Sequence, residues 1–314
     1  MTQFLNGLVS GITLGGIYAL IALGFVIIYR ATHTLNFAQG GLLALGAYIS
    51  YLFSGPIRGV NFNNPPSLLR LPYFVAIVLS MLTLAGIGWL LEVTVIRRFR
   101  GKPVFAVIMA TLGVAVVLGA IVNVVWGTSP VNLNTPFGDK FSKVGGVPIK
   151  HIDFFTLAVV AVIALAFFFG FQKSKLGTAM KATAFDQEAA IAQGISPNLI
   201  FGASWAMSCA LAALAGTLLA SGAGSVATQV SPSLAAFALV GFPAIVLGGV
   251  DSPEGAVLGG LIIGIVQSLS ATYEENIYRY VGHDFWRLTP FILMIIILLF
   301  RPSGLFGTKE VRRV

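Results

Sequence analysis

Apolar runs of about 20 residues recur along this chain, each long enough to cross roughly 30 Å of hydrocarbon as a helix. In lipid every backbone N–H and C=O must be satisfied within the structure, so repeated runs of this kind fold as helices packed on helices. Charged residues are 10% of the chain and hydrophobic residues 57%. An ordinary soluble domain carries about 25% charged residues, so no room is left for one of any size. The expected fold is all-α: one polytopic membrane domain over residues 1–314, with eight to ten spans, some of them broken or re-entrant.

The spans read at roughly 5–29, 36–53, 71–96, 104–126, 152–171, 198–222, 232–250, 255–273 and 285–300. The first has no basic stretch before it and no small-residue cleavage site after it, which marks a retained helix. The second and seventh are short and interrupted by Gly or Pro, and are expected to be broken or tilted. Irregular backbone at membrane depth is tolerated only where it is buried in protein or lines a wet cavity, so these two segments point to a pathway. The 36 glycines suit helices in close small-residue contact. The lone cysteine, Cys209, excludes an internal disulfide and reads as a small core residue.

Basic residues set the orientation. Arg30, Arg97, Arg98, Arg100, Lys102, Lys173, Lys175, Lys181, Arg301, Lys309, Arg312 and Arg313 fall on one side, and Arg58, Arg70, Lys140, Lys143, Lys150, Arg279 and Arg287 on the other. Twelve against seven, with the dense clusters all on the first side, puts that side in the cytoplasm and the N-terminus outside. The net charge of +8 then reflects cytoplasmic loops rather than a nucleic-acid partner.

The chain carries no G-x-x-x-x-G-K-[ST] phosphate loop, no H-E-x-x-H and no EF-hand pattern. No catalytic or metal site is expected, and the protein reads as no enzyme. His33, His151 and His283 are scattered through loops. Glu92 is read as the only acidic residue within a span, paired with the basic cluster at Arg97 and Arg98. A proton-driven carrier usually holds an ionisable group at depth, so energy supplied by a separate protein becomes the leading idea.

Residues 172–197, QKSKLGTAMKATAFDQEAAIAQGISP, are where such energy would be received. Thr183 is placed as a helix N-cap with Asp186 three residues on, Gly194 as the residue closing the helix, and Ser196-Pro197 as the start of the next one. Ala182, Phe185, Ala189 and Ala192 then share one face of a short amphipathic helix.

At this loop the sequence resembles the permease subunits of bacterial ABC importers, whose coupling segment carries E-A-A-x-x-x-G; Glu188-Ala189-Ala190 and Gly194 match it, while the later I-x-L-P part is missing, with SWAM at 204–207. GLVSGITLGGIYALIALGFVIIY, LNFAQGGLLALGAY, GTAMKATAFDQEAAIAQGI and AIVLGGVDSPEGAVLGGLIIGIVQS extend the resemblance to the branched-chain amino-acid permeases, the smaller membrane subunit of the leucine/isoleucine/valine importer. The resemblance implies an inner-membrane permease beside a second, related permease, two cytoplasmic ATPase subunits and a periplasmic binding protein. It also implies that no cofactor is bound by this chain, ATP and Mg²⁺ being held by the ATPases. Alternating access is the implied mechanism, with Ala182, Thr183, Phe185, Asp186, Glu188, Ala189, Ala190 and Gly194 as the coupling residues.

Neutral polar residues in apolar segments are the candidates for lining the path: Asn36, Gln39, Asn123 and Gln229. The alternative role for each is a hydrogen bond between helices. Two other readings stand beside the importer of branched-chain amino acids: the same machine carrying urea or short amides, and a stand-alone channel or secondary carrier.

Overall fold

The computed structural model describes residues 2–55, 69–138, 140–144, 147–171, 173–225, 227–275, 282–302 and 304–307. Among the described residues, six helices are long and apolar enough to cross a membrane: Thr2–Thr32, Tyr73–Phe99, Val104–Trp126, His151–Phe171, Pro197–Ala220 and Pro253–Thr272. We label the helices α1 (Thr2–Thr32), α2 (Gln39–Ser54), α3 (Tyr73–Thr94, followed by a 3₁₀ turn at Ile96–Phe99), α4 (Val104–Trp126) and α5 (His151–Leu165, followed by a π-helical turn at Ala166–Phe171). The rest are α6 (Lys175–Phe185), α7 (Gln187–Ala192), α8 (Pro197–Ala220), α9 (Phe237–Gly248, after a 3₁₀ turn at Pro232–Ala236), α10 (Pro253–Thr272) and α11 (Thr289–Phe300). The fold is a helical polytopic bundle, as expected. A two-stranded antiparallel hairpin, β1 (Phe141–Val144) and β2 (Val147–Lys150), lies in the connection read from sequence as loop.

Local chemistry fixes several ends. The Ser252 hydroxyl accepts from the Gly255 N–H at 3.0 Å, Pro253 takes the first turn of α10, and Glu254 adds a negative charge where the helix dipole favours it. Pro72, Pro103 and Pro197 likewise stand at the starts of α3, α4 and α8.

α1 is apolar on every side, and such a helix is stable only inside other helices. From Leu14 to Ile28 its side chains lie within the bundle. It packs antiparallel on α10 through small residues four apart. A Cβ on Gly11 would stand 2.8 Å from the Ile265 Cα, and one on Gly15 would stand 2.7 Å from the Leu261 Cα. α8 closes the core against α1, α2 and α3, with Cys209 fully buried where α8 meets Gly88 of α3. Outward faces of α4 and α11 are apolar, with Val124 85% and Leu299 78% exposed, as expected where lipid is the solvent.

The two ends of the bundle differ in charge. Arg30, the 97–102 cluster, α6, α7, Glu254 and the 301–307 segment gather at one end. The first turns of α1, α3 and α5 and the last turns of α8 and α10 gather at the other. Arg58, Arg279, Lys309, Arg312 and Arg313 lie outside the described residues.

Glu92 is buried and paired with the basic cluster as expected, its partners being Arg97, at 2.8 Å, and Arg100. Arg100 also contacts Asn198 and covers the Phe201 ring at 4.3 Å, tying the end of α3 to the start of α8. Burial lowers the Arg100 pKa, and the Glu92 charge pulls it back up. Two other sequence expectations are corrected here. Glu92 is not the only acidic group in a span: Asp153, in the first turn of α5, is buried and accepts from the Gly224 N–H at 2.9 Å. His151 opens α5 rather than sitting in a loop, and its Nε2 lies 2.8 Å from the Ser142 hydroxyl.

Arg100→Leu is expected to destabilise the protein by about 1.5–3 kcal/mol, the range for a hydrogen bond to a charged group. The measurement is the unfolding midpoint of the detergent-solubilised protein. An unchanged midpoint would mean that Arg97 alone satisfies the carboxylate.

Candidate functional site

Both interrupted segments start inside the bundle. After α1 ends, residues 33–38 run back without helical structure, and α2 begins at Gln39 beside Gly24, about two turns before the end of α1, and Ser208, midway along α8. The turn is made by Asn36, whose Oδ1 accepts from the Ala38 N–H at 3.0 Å and whose Nδ2 donates to the Gln39 Oε1 at 3.2 Å. Ser208 donates to the same Oε1 at 3.2 Å, so one buried network fastens the start of α2 to α8. Asn36 and Gln39 thus sit together, 1% and 0% exposed, in hydrogen bonds at depth.

The 3₁₀ turn Pro232–Ala236 and α9 descend beside that start. Gly40 abuts the Ala235 carbonyl, and the Phe37 and Phe242 rings stand 6.4 Å apart. Between α2, α4 and α9 lies a cavity of about 360 Å³ whose walls, including Phe25, Phe37, Ala115, Val122 and Phe242, carry no ionisable side chain. A second cavity of about 540 Å³ lies toward the end opposite the basic one, lined by Gln229, Ser231, Ser233, Gln267, Trp286 and Arg287 among others. Ala236, Leu239 and Phe291 wall both.

Of the four path candidates, Gln229 lines the second cavity, while Asn36 and Gln39 hold its neighbour's wall in place from behind. Asn123 stands on the exposed face of α4, next to Val122, which faces the first cavity. Sequence reasoning missed Phe37, Phe242 and Gln267. Gln267 carried the same signal as the others, an uncharged polar residue within an apolar span. The two phenylalanines carried none, because an aromatic in an apolar segment looks the same whether it faces a neighbour or a void.

At the basic end the loop folds as two helices, not one. Ser174 caps α6, its Oγ accepting from the Gly177 N–H at 3.0 Å, and α6 runs on through Phe185. Thr183 is therefore buried in its last turns, donating back to the Ala179 carbonyl at 2.8 Å, and is not the N-cap expected. Asp186 has that role: its Oδ1 accepts from the N–H groups of Glu188 and Ala189 at 2.9 and 3.0 Å. The break parts Ala182 and Phe185 from Ala189 and Ala192, so the single amphipathic face becomes a bent surface. On it Phe185 is 95% and Ile191 59% exposed, with Glu188 and Ala189 exposed beside them. Ala190 instead packs inward. Gln172, at the start of the 172–197 segment, lies outside the described residues.

Gly194 closes α7 with φ +78°, its N–H donating to the Ile191 carbonyl and the Ile195 N–H to the Ala190 carbonyl. That is the paired bonding of a left-handed helix end. Pro197 then starts α8. His33 connects this loop to the bundle, its Nε2 standing 3.3 Å from the Ala184 carbonyl.

Residues 7–298 match the family described as branched-chain amino acid transport system / permease component. The chain belongs to that family. Among its relatives, the high-affinity branched-chain amino acid transport system permease protein LivH of Salmonella typhimurium is 28% identical over 99% of this chain and 98% of its own. The permease protein BraD of Pseudomonas aeruginosa is 29% identical over 99% of this chain and 98% of its own. The permease protein LivM of Escherichia coli is 26% identical over 96% of this chain and 70% of its own.

In this permease a β-branched residue at Gly194 would be forced into a left-handed backbone. Gly194→Val is expected to cost about 1 kcal/mol or more in strain at the helix end and to misdirect the chain entering α8. Limited proteolysis of the 186–197 segment measures it: wild-type cleavage rates in the variant would show that the turn tolerates the change.

Proposed function

We propose that this protein is the smaller membrane subunit of an ATP-binding-cassette importer that carries branched-chain amino acids inward. Family membership, and full-length likeness to permeases named for that cargo, support the reading. The observation that carries it is the exposed, doubly capped α6–α7 surface in a chain without a phosphate loop of its own. An uncapped loop would be free to move without moving the bundle. Here the Ser174 and Asp186 caps hold the two helices, Met180, Thr183 and Ala190 pack them inward, and His33 meets the Ala184 carbonyl, so the loop moves with the bundle beneath it.

On this reading the whole chain acts as one permease domain in the bacterial inner membrane, with its basic end in the cytoplasm. Residues 172–197 are its coupling loop, with Phe185, Asp186, Glu188, Ala189 and Gly194 at the contact and Ala182, Thr183 and Ala190 behind it. Two ATPase subunits hold ATP and Mg²⁺, so this chain needs no cofactor of its own. A substrate-loaded binding protein docks at the opposite end, on the 127–151 connection and on 274–284, of which 139, 145, 146 and 276–281 lie outside the described residues. A second, related permease completes the pair; likeness to both LivH and LivM proteins supports two permease types in one system. Closure of the ATPases moves the loop, and the bundle re-packs to open the path inward.

The deciding experiment reconstitutes the chain with its proposed permease, ATPase and binding-protein partners and measures leucine uptake. Uptake that requires ATP and every subunit is the expected result. Leucine uptake by the purified chain alone would sink the reading in favour of a channel or secondary carrier. Native mass measurement is expected to give one copy of this chain, one of its relative and two ATPases; two copies of this chain would replace the related partner with a symmetric pair.

A further inference from the structure

We infer that a cavity at the basic end, where α3 turns into α4, binds the phosphate headgroup of an anionic phospholipid. The cavity measures about 220 Å³ and is walled by the end of α1, the 96–104 turn, the first residue of α7 and the first half of α8. Its ionisable members are His33, Glu92, Arg100 and Lys102. The Glu92 carboxylate is met by two guanidiniums, those of Arg97 and Arg100, which leaves one positive charge in excess. Lys102 adds a second: its side chain is exposed and forms no ion pair among the described residues. A cavity so charged calls for an anion, and a lysine ammonium is a mobile point charge suited to a phosphate.

Two observations favour a lipid over a free anion. Ile96, Phe99, Val107 and Phe201 give the cavity apolar walls, and a small soluble anion seated against them would lose water on that side without compensation. The rim also continues into the lipid-facing surface. Val104 lines the cavity and is 59% exposed, and Phe105, Met109, Leu112 and Val116 extend an exposed apolar stripe from it along α4. A phospholipid meets both conditions, with its phosphate beside Lys102 and an acyl chain along α4. The basic end faces the cytoplasmic leaflet in the orientation proposed above, and that leaflet carries the anionic lipid. Gln187 of α7 and Thr32 and Thr34, which lead toward α2, wall the same cavity, so a bound headgroup bridges the proposed coupling loop and the bundle.

The test uses the full chain in phosphatidylcholine nanodiscs doped with phosphatidylglycerol that carries a diazirine high on one acyl chain. Photolysis is expected to label Val104, Phe105 and Met109, about fivefold more than the matching phosphatidylcholine probe does. Lys102→Gln should remove that preference, a loss of about fivefold being the size expected for one basic residue at an anionic surface. Arg98→Gln removes a neighbouring exposed charge that does not line the cavity, and should leave the preference intact. Equal labelling by the two probes, or equal losses in the two variants, would overturn the site in favour of diffuse attraction to a basic surface. Displacement of the probe by millimolar glycerol phosphate would overturn it in favour of a soluble anion. Labelling that disappears on adding the proposed ATPase partners would assign the cavity to an acidic side chain of that partner instead. None of these readouts involves transport, so the site and the importer reading stand or fall separately.

Discussion

Ala189→Trp is expected to leave the bundle folded and to cut substrate-stimulated ATP hydrolysis by about tenfold or more, equivalent to about 1.4 kcal/mol lost at the contact. Ala189 is exposed, and its contacts are made by its backbone, the N–H donating to the Asp186 carboxylate and the carbonyl accepting from the Gln193 N–H, so a larger side chain leaves the bonds within this chain intact. What it alters is the shape offered to the proposed ATPase partner: an indole where a methyl group stood would hold the surface away from it. Phe185 is the complementary case. It is 95% exposed, and a large aromatic so presented is the type of residue that anchors an interface. Phe185→Ala should therefore weaken ATPase association, whereas Ala189→Trp should misalign it. Glu188→Ala is expected to be milder than either, since an exposed ion pair typically contributes under about 1 kcal/mol. The measurement is leucine-stimulated hydrolysis in the assembled complex, with thermal unfolding as the control on fold. Full stimulated hydrolysis and uptake in Ala189→Trp would show that this loop is not the coupling element.

Gly264→Leu is expected to abolish the native fold. A Cβ on Gly264 would fall on the Gly15 backbone N and Cα, and 2.8 Å from the Gly11 carbonyl oxygen. Those are backbone atoms at the centre of α1, so relief requires moving α1 away from α10 along its length. Overpacking by a few methylenes typically costs about 1–3 kcal/mol where side chains can yield. Here none can, and the α1–α10 contact is the most intimate in the bundle. Gly113 on α4 is the matched control, because nothing lies within 4 Å of a Cβ built there. Size-exclusion profiles of the solubilised variants should show Gly113→Leu eluting as wild type and Gly264→Leu aggregated. Equal profiles would mean that the helices tolerate a wider separation than their packing implies.

How much was legible in the sequence follows from which interactions are local. Six of the nine spans read from sequence stand in the fold as helices long enough to cross, while 36–53, 232–250 and 285–300 are shorter, the first two as α2 and as the 3₁₀ turn leading into α9; these features depend on apolar run length and on Gly and Pro. The left-handed turn at Gly194 and the start of α8 at Pro197 also depend on near neighbours only. The capping residue did not follow. A threonine with an acidic residue three positions on fits an N-cap, but Ser174 starts a helix upstream and the helix-favouring residues between carry it past Thr183. Competition between two local signals was settled by which helix gains tertiary contact, through Met180 and Thr183, both buried.

The pathway was least legible. α1, α3, α4 and α9 are apolar on every face, so no periodicity tells a lipid-facing side from a buried or cavity-facing one. Asn123 and Gln267 look alike in sequence, yet one stands on the exposed face of α4 and the other borders two voids. By itself the sequence determined a membrane-embedded helical bundle with one basic end and an addressable loop, because solvation and chain geometry act residue by residue. Tertiary structure alone decided which uncharged side chains meet at depth and where the space between them lies, because packing of uniformly apolar helices is a property of pairs of surfaces and is written in neither sequence segment singly.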